Sequence, residues 1–393
     1  MISSRKNKTI AISTEAFGTL ELIKNNIISN FSSFMDYDQI KATNKYGFFE
    51  SEPMPYSFGF APFGDENQAV VKSLKQGERV NLSLKGEIIG HVDADKIFKL
   101  DKQTSEKNIF LANESTSVHQ MRLGEYALSG EFEIYDQELK KTKQRLQKVI
   151  KETGAKRITA LFLTADPFNR AHERLVRMTI DKTDLVIVFL VRTTQDSHIN
   201  YDLRKEVLEY FNQNYLPSNR IFIFPLRNTT LFSSHKNPTL EYITAHHLGA
   251  DKLVIGQNHT GIGMFFDQNE AHTILDKYKD ALKMDIIILP ELVYCNKCKT
   301  LVSTKTCPHG AHHHIKYHPD TIKTLLFQGI LPPAILIRPD ISALILSQIL
   351  PDRFKDIQKL CDDLFPNSGL LEKRSDRDFY EELMKLYQTS SMT

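Results

Sequence analysis

The hydrophobic pattern of this chain changes character near residue 135. Before it, short β-rich runs (Arg79 to Leu84, Gly86 to Val92, Gly130 to Tyr135) alternate with Gly, Asn, Asp and Lys turns. Pro53, Pro55 and Pro62 with Gly59 and Gly64 mark a loop-rich middle. This predicts a small β-barrel-like or mixed domain. Gln137 to Thr153 then reads as a charged amphipathic helix stopped by Gly154. Beyond it apolar strands (Ile158 to Leu163, Asp184 to Val191, Arg220 to Leu226, Lys252 to Ile255, Asp285 to Leu289) alternate with helical patterns. The helices are expected at Ala171 to Met178, Asp202 to Tyr210, Pro238 to His247 and Asn269 to Leu282. Repeated β-α units imply a doubly wound parallel sheet, whose ligands sit at the carboxyl ends of its strands.

Three strand ends carry candidate ligand groups. In the first, Pro167 blocks continuation of the Ile158–Leu163 strand, and a helix begins near Arg170. The turn aims free N–H groups at an anion, and His172, one turn in, could face it. The bland reading is that any α/β sheet has such a turn and that His172 merely caps or packs. The second strand end puts Arg227 directly after Pro225-Leu226. The third is the glycine-punctuated loop Gly256-Gln257-Asn258-His259-Thr260-Gly261-Ile262-Gly263. Each is weak alone; three at one sheet edge favour a phosphate-handling pocket.

Composition excludes some partners. The chain has 393 residues, room for two or three domains, and a formal charge of +2, too small a field to attract nucleic acid or an anionic membrane. It shows no signal-peptide h-region and no membrane-length apolar run, so the cytosol is the expected compartment. Of four cysteines, Cys295, Cys298 and Cys307 are clustered, which in a reducing compartment argues for metal. The Cys-x2-Cys turn, a third Cys and a His have tetrahedral zinc spacing, and four protein ligands would make the ion structural. His309 or His312 would be the fourth ligand; His313 and His314 read as solvent-facing. Cys361, in a helical stretch, is expected to be a buried thiol.

With these features in place, the chain resembles the sulfate adenylyltransferase (ATP sulfurylase) family, of the short bacterial and archaeal type without a fused adenylylsulfate kinase. The similarity runs from about Ser33-Phe34-Met35 through Tyr135-Asp136 to Pro332-Pro333 and Arg338-Pro339-Asp340. Its most specific match is Tyr294-Cys295 to Cys307-Pro308-His309, similar to the family's Y-C-x-x-C…K-T-C-P-H. The family's Q-T-R-N-P-x-H-R-A-H-E reads Leu163-Thr164-Ala165-Asp166-Pro167-Phe168-Asn169-Arg170-Ala171-His172-Glu173 here, with Leu163 and Ala165 at the sulfate-holding Gln and Arg. Its G-R-D-H-A-G loop reads Gly256-Gln257-Asn258-His259-Thr260-Gly261, and its S-G-T reads His318-Pro319-Asp320.

The resemblance implies an α/β and β multidomain chain. Its parts would be a PUA-like N-terminal domain over 1–150, a HUP-type (Rossmann-like) nucleotidyltransferase domain over 151–318 with the zinc knuckle at 294–314, and a small helical domain over 319–393. It implies adenylyl transfer from MgATP to sulfate with release of pyrophosphate, in a homo-oligomer, expected to be a dimer. His172 would stabilise the α-phosphate, Asn169 and Arg227 would contact phosphate oxygens, and Thr164, Asp166 and the Gly256–Gly261 segment, with Gln257, Asn258 and His259, would line the nucleotide. An unpaired carboxylate at Asp166 would repel a dianion. The rival readings are therefore transfer to a neutral hydroxyl or amine acceptor, and a non-catalytic nucleotide-binding relative.

Overall fold

A computed structural model describes residues 8–50, 52–54, 57–100, 108–111, 123–193, 199–233, 237–257, 265–267, 270–365 and 372–389. They fall into two compact units, Met1–Phe162 with Leu226–Ile288, and Leu163–Pro225 with Leu289–Thr393.

The first unit holds a seven-stranded sheet. Across it lie Thr9–Ala11, Arg79–Leu84, Glu87–Lys99, Tyr126–Ile134, Ser57–Phe60 and Asn108–Leu111, with Ser33–Phe34 also against Tyr126–Ile134. The two outermost pairings are parallel and the rest antiparallel. The Arg79–Leu84 and Glu87–Lys99 strands are joined by Lys85-Gly86 alone, both at positive φ (53° and 91°). That is the handedness a two-residue hairpin needs to match strand twist. Beneath the sheet, Phe34 stacks between Phe60 and Phe132 at 4.8 and 4.6 Å between ring centroids, all three fully buried.

This region is mixed rather than a plain barrel, because three helices, Thr14–Lys24, Tyr37–Tyr46 and Asp65–Ser73, accompany the strands. Thr14–Lys24 shows no amphipathic stripe because every residue from Ala16 to Ile23 is buried, which hides the helical period. The predicted strand Ile158–Leu163 is present and pairs in parallel with Lys252–Gly256, Ala160 opposite Leu253; Asp285–Leu289 flanks Lys252–Gly256 on its other side. The helix expected over Asn269 to Leu282 spans only Asp276–Leu282, and Glu270–His272 is a strand paired with Phe265–Asp267. The start is set locally: the Asp276 carboxylate accepts from Thr273 N (2.6 Å), and Thr273 Oγ1 accepts from Leu275 N (3.2 Å).

In the second unit, Leu185–Val191, buried at all seven positions, neighbours Ile221–Leu226. A three-stranded antiparallel sheet follows, Leu292–Cys295 lying between Thr300–Ser303 and His314–Lys316. Helices Pro319–Phe327, Pro339–Ile349, Ile357–Leu364 and Asp376–Thr389 complete it; Pro339–Ile349 packs on Asp376–Thr389, Pro319–Phe327 and Tyr201–Tyr215. Cys361 is buried, as expected. No helix among the described residues is long and apolar enough to cross a membrane.

Within the first unit, helix Thr14–Lys24 touches the segment after Arg227 so closely that a Cβ on Gly18 would lie 2.4 Å from the backbone oxygen of Asn228. Gly18→Ala should therefore destabilise the protein by about 1–3 kcal/mol through overpacking, despite alanine's better helix propensity. A urea midpoint equal to or above the parent's would contradict this.

Candidate functional site

The turn after Ile158–Leu163 folds tightly. Ala165 sits in the left-handed region (φ 50°), a conformation that costs a side chain roughly 1–2 kcal/mol. Asp166-Pro167 is a cis peptide. Asn169 then caps helix Arg170–Ile180: its Oδ1 accepts from Ala171 N (3.0 Å) and His172 N (3.2 Å), and it is 4% exposed. In return His172 Nδ1 accepts from Asn169 N at 3.2 Å. An Nδ1 that accepts carries no proton, so the neutral ring must hold its proton on Nε2. Burial pushes the imidazole pKa down to about 4, and Phe168 stacks on the ring at 5.7 Å. His172 thus caps, as the bland reading held, and also keeps one N–H donor in hand.

Arg204, in helix Tyr201–Tyr215, is 3% exposed. Its Nη1 donates to the carbonyls of Thr164 (2.5 Å) and Val191 (3.1 Å), closing the carboxyl ends of two strands. Its buried Nε meets no acceptor among the described residues. Burial works against the guanidinium charge, and the Asp166 carboxylate works for it. Thr164 itself is exposed.

Asp166, 9% exposed, departs from expectation: it is not an unpaired carboxylate. Lys323 Nζ, from helix Pro319–Phe327, lies 3.2 Å from its Oδ2 and 3.1 Å from Asp320 Oδ1. Burial alone would lower the Lys323 pKa, but the two carboxylates outweigh it and hold the ammonium above its ordinary range. Leu163 and Ala165 are buried apolar residues, 5% and 1% exposed.

Behind the turn, Glu173 gathers three arginines. Arg338 grips it with two bonds (2.6 and 2.9 Å), Arg170 with one (2.9 Å) and Arg177 with one (3.1 Å). Burial opposes its ionisation; Arg338 and Arg170 more than compensate and hold its pKa down at about 2. Arg338 lies over the Tyr215 ring at 3.8 Å, Tyr215 donates to Asp340, and Arg170 donates from N to Leu336 O (2.8 Å) and from Nε to Ala334 O (3.0 Å). Residues 334–340 are thereby fastened to the first turn of the His172 helix.

The remaining expected positions lie elsewhere. In the first unit Arg227 is exposed directly after Ile221–Leu226, Gly256 ends its strand and Gln257 follows it half-buried. The segment past Arg227 is tied to helix Thr14–Lys24: Glu15 accepts from Thr229 Oγ1 and Thr230 N (both 2.7 Å), and Glu21, whose pKa burial pushes up to about 7, accepts from Asn228 (3.1 Å). Asn258, His259 and Gly261 lie outside the described residues.

In the second unit Cys295, Cys298, Cys307 and His309 converge, their ligand atoms all within 4.8 Å. Cys298 and Cys307 Sγ are 3.8 Å apart, and His309 Nδ1 lies 3.5, 3.2 and 3.7 Å from the three sulfurs. A tetrahedral ion with ordinary Zn–S and Zn–N bonds needs about 3.8 Å between sulfurs and about 3.6 Å from sulfur to nitrogen. The group can hold such an ion, and it includes His309, not His312. Within the knuckle Cys298 N donates to Cys295 Sγ at 3.4 Å, and Lys299 follows at φ 55°.

The ATP-sulfurylase family model matches residues 137–348, more than half of the chain. The chain belongs to the ATP-sulfurylase family. It is 28% identical over 270 residues to the sulfate adenylyltransferase of Carboxydothermus hydrogenoformans, covering 65% of this chain and 70% of that protein. To the sulfate adenylyltransferase of Chloroflexus aurantiacus it is 24% identical over 352 residues, covering 85% and 89%. Among solved structures, one described as the hexameric APS kinase from Thiobacillus denitrificans superimposes with a TM-score of 0.64 at 15% identity, over 89% of this chain and 64% of that one. At that identity the likeness speaks for fold: mixed α/β with parallel, Rossmann-like strands. Within the ATP-sulfurylase match, sequence reasoning singled out the turn that carries His172, Asn169 and Asp166, but not the charged partners that Arg204, Lys323 and Glu173 supply around it. Among 50 Lys and Arg residues nothing in the sequence separates the first two from solvated charges.

Glu173→Gln should leave three arginines short of a charge partner and cost about 3–5 kcal/mol, read as a lowered denaturant midpoint. Because the Glu173 pKa is depressed from 4.5 to about 2, its contribution is fully present above about pH 4.5 and is lost as pH falls toward 2. The parent should lose stability over that window more steeply than the Gln variant. Parallel acid profiles would contradict it.

Proposed function

We propose that the chain is a sulfate adenylyltransferase: a sulfate oxygen attacks the α-phosphorus of MgATP, one P–O bond forms, the bond to the β-phosphate bridge breaks, and pyrophosphate leaves. The observation that carries this reading in a member of the ATP-sulfurylase family is the fixed tautomer of His172. Its Nε2–H is a neutral donor, ready for charge that develops on α-phosphate oxygens without taking up a proton at neutral pH. Asn169 positions that imidazole through the helix cap made by its Oδ1, and its Nδ2, bonded only at 3.4 Å to Pro167 O, is the donor for the expected contact to a phosphate oxygen. Thr164 and Asp166 flank the reacting groups. Arg227 contributes to phosphate binding, and Gly256, Gln257, Asn258, His259 and Gly261 contribute to nucleoside binding. Mg²⁺ arrives with ATP.

A second reading, transfer to a neutral acceptor, is favoured by one observation: Leu163 and Ala165 offer no donor side chain. Pyrophosphate release from ATP with sulfate, measured beside a panel of hydroxyl and amine acceptors, decides between them. Sulfate dependence is expected; release driven by another acceptor and not by sulfate would overturn the first reading. His172→Ala should cut turnover roughly 10²–10³-fold while ATP binding weakens less, because the contact strengthens in the transition state. With a His172 pKa of about 4, the parent's rate should show no ionisation from this group near pH 6.5. Equal losses in ATP affinity and turnover would refute the role.

Further parts of the reading are a PUA-like N-terminal domain, a HUP-type nucleotidyltransferase domain with the knuckle, a helical C-terminal domain, a cytoplasmic location and assembly as a dimer. The knuckle holds a structural Zn²⁺ through Cys295, Cys298, Cys307 and His309, supported by spacings that suit four tetrahedral ligands. Purified protein should carry about one zinc per chain. Cys298→Ser should lose it and melt at a lower temperature, and metal-free protein from zinc-replete medium would end this assignment.

A further inference from the structure

We infer that Lys323 is the cation that receives the acceptor oxyanion, and that the Asp166 carboxylate holds its place until the acceptor displaces it. This rests on the adenylyl-transfer reading and names the residues that select its acceptor.

The inference starts from charges gathered at one turn. Thr164 to Asn169 ends a strand and opens the His172 helix, so the free N–H end of that helix and its donor ring flank the turn. Arg204 anchors the turn through Thr164 O and is 3% exposed, with a buried Nε–H that no protein group among the described residues accepts. A buried donor left without an acceptor is costly, and an anion at the turn would supply one. Lys323 reaches the same turn, 3.2 Å from Asp166. Asp166 sits among these cations as an internal anion, 9% exposed. Its second cation, Arg204, is held by backbone carbonyls and cannot leave.

Lys323 differs from Arg204 in freedom. Its other partner, Asp320, has a side chain 96% exposed, so the ammonium can turn away from Asp166 and keep an exposed carboxylate as its partner, while Arg204 remains to offset the Asp166 charge. An ammonium on a flexible stem can exchange one anion for another, whereas a forked guanidinium holding two carbonyls cannot. A tetrahedral dianion entering the turn then competes with one carboxylate for one lysine. The leucine and alanine at 163 and 165 leave the work of charge recognition to this pair. The carboxylate also disfavours monovalent or loosely charged anions, which cannot outcompete it, so the exchange supplies selectivity at some loss of affinity.

Steady-state pyrophosphate release, with sulfate varied at saturating ATP and ATP varied at saturating sulfate, tests the exchange in the full chain. Lys323→Met should raise the sulfate KM roughly 10- to 100-fold with little change in the ATP KM. Lys323→Arg should recover most of the loss. Asp166→Asn should lower the sulfate KM by about threefold or more, because the internal competitor is gone. A purely structural role for the ion pair predicts that Met and Asn both weaken sulfate and ATP together, so opposite signs for the two variants support the exchange. An unchanged sulfate KM in Lys323→Met, or a raised one in Asp166→Asn, overturns it. If the parent shows no sulfate turnover, the adenylyl-transfer-to-sulfate reading fails by itself. Titration of sulfate into the ATP-bound parent and Lys323→Met then decides the subsite: weaker binding in the variant supports it, and equal or absent binding in both overturns it.

Discussion

The second unit depends on one buried carboxylate. Glu173 stands one residue past His172, and three guanidiniums, two on its own helix and one from residue 338, converge on it. Removing a carboxylate and a guanidinium from water costs several kcal/mol each, and only dense, well-aimed pairing repays it. Here the pairing is dense enough to hold the glutamate ionised far into acid. What this secures is position. The helix that carries His172 cannot rotate without breaking a bidentate contact, and Arg338 in turn is pinned under Tyr215.

That rigidity has a chemical use. Adenylyl transfer needs no covalent help from protein, so its acceleration comes from groups already aimed where charge will develop. His172 is aimed twice over, by the amide N–H it accepts and by the Glu173 clasp behind it. Because its ring is neutral, it would stabilise charge as a dipole and leave net charge to Arg204 and Lys323. On the proposed reading the site separates two tasks, an immobile donor for the transferring phosphorus and a mobile cation for the acceptor.

Much of the fold was legible in the sequence. The strands are apolar runs, Leu185–Val191 buried at every position, and every one expected after residue 150 is present within a residue or so of its predicted ends. The failures have separate causes. Helix Thr14–Lys24 is buried on all sides, so it lacks the 3.6-residue stripe that announces a helix. Asn269 to Leu282 has helical composition, but Thr273 and Asp276 compete locally for the backbone and win. The cysteine cluster was legible because spacing alone confines Cys295 and Cys298 to one turn; that His309 rather than His312 converges with the three sulfurs is a property of the fold.

The site was only half legible, and the missing half is electrostatic. The sequence shows Asp166 as a charge where an oxyanion should sit, and taken alone it argues against a dianionic acceptor. Its counter-charge comes from 157 positions later in the chain, at Lys323. No periodicity or motif links the two, because a salt bridge between distant elements is a property of the fold. Once Lys323 and Arg204 are counted, the buried carboxylate at the turn is offset by two cations, one of them shared with the exposed Asp320, and Asp166 is no longer an uncompensated charge. A departure from a family's motif therefore weighs less when the fold brings in a compensating charge from another element, and Asp166 with Lys323 is such a case.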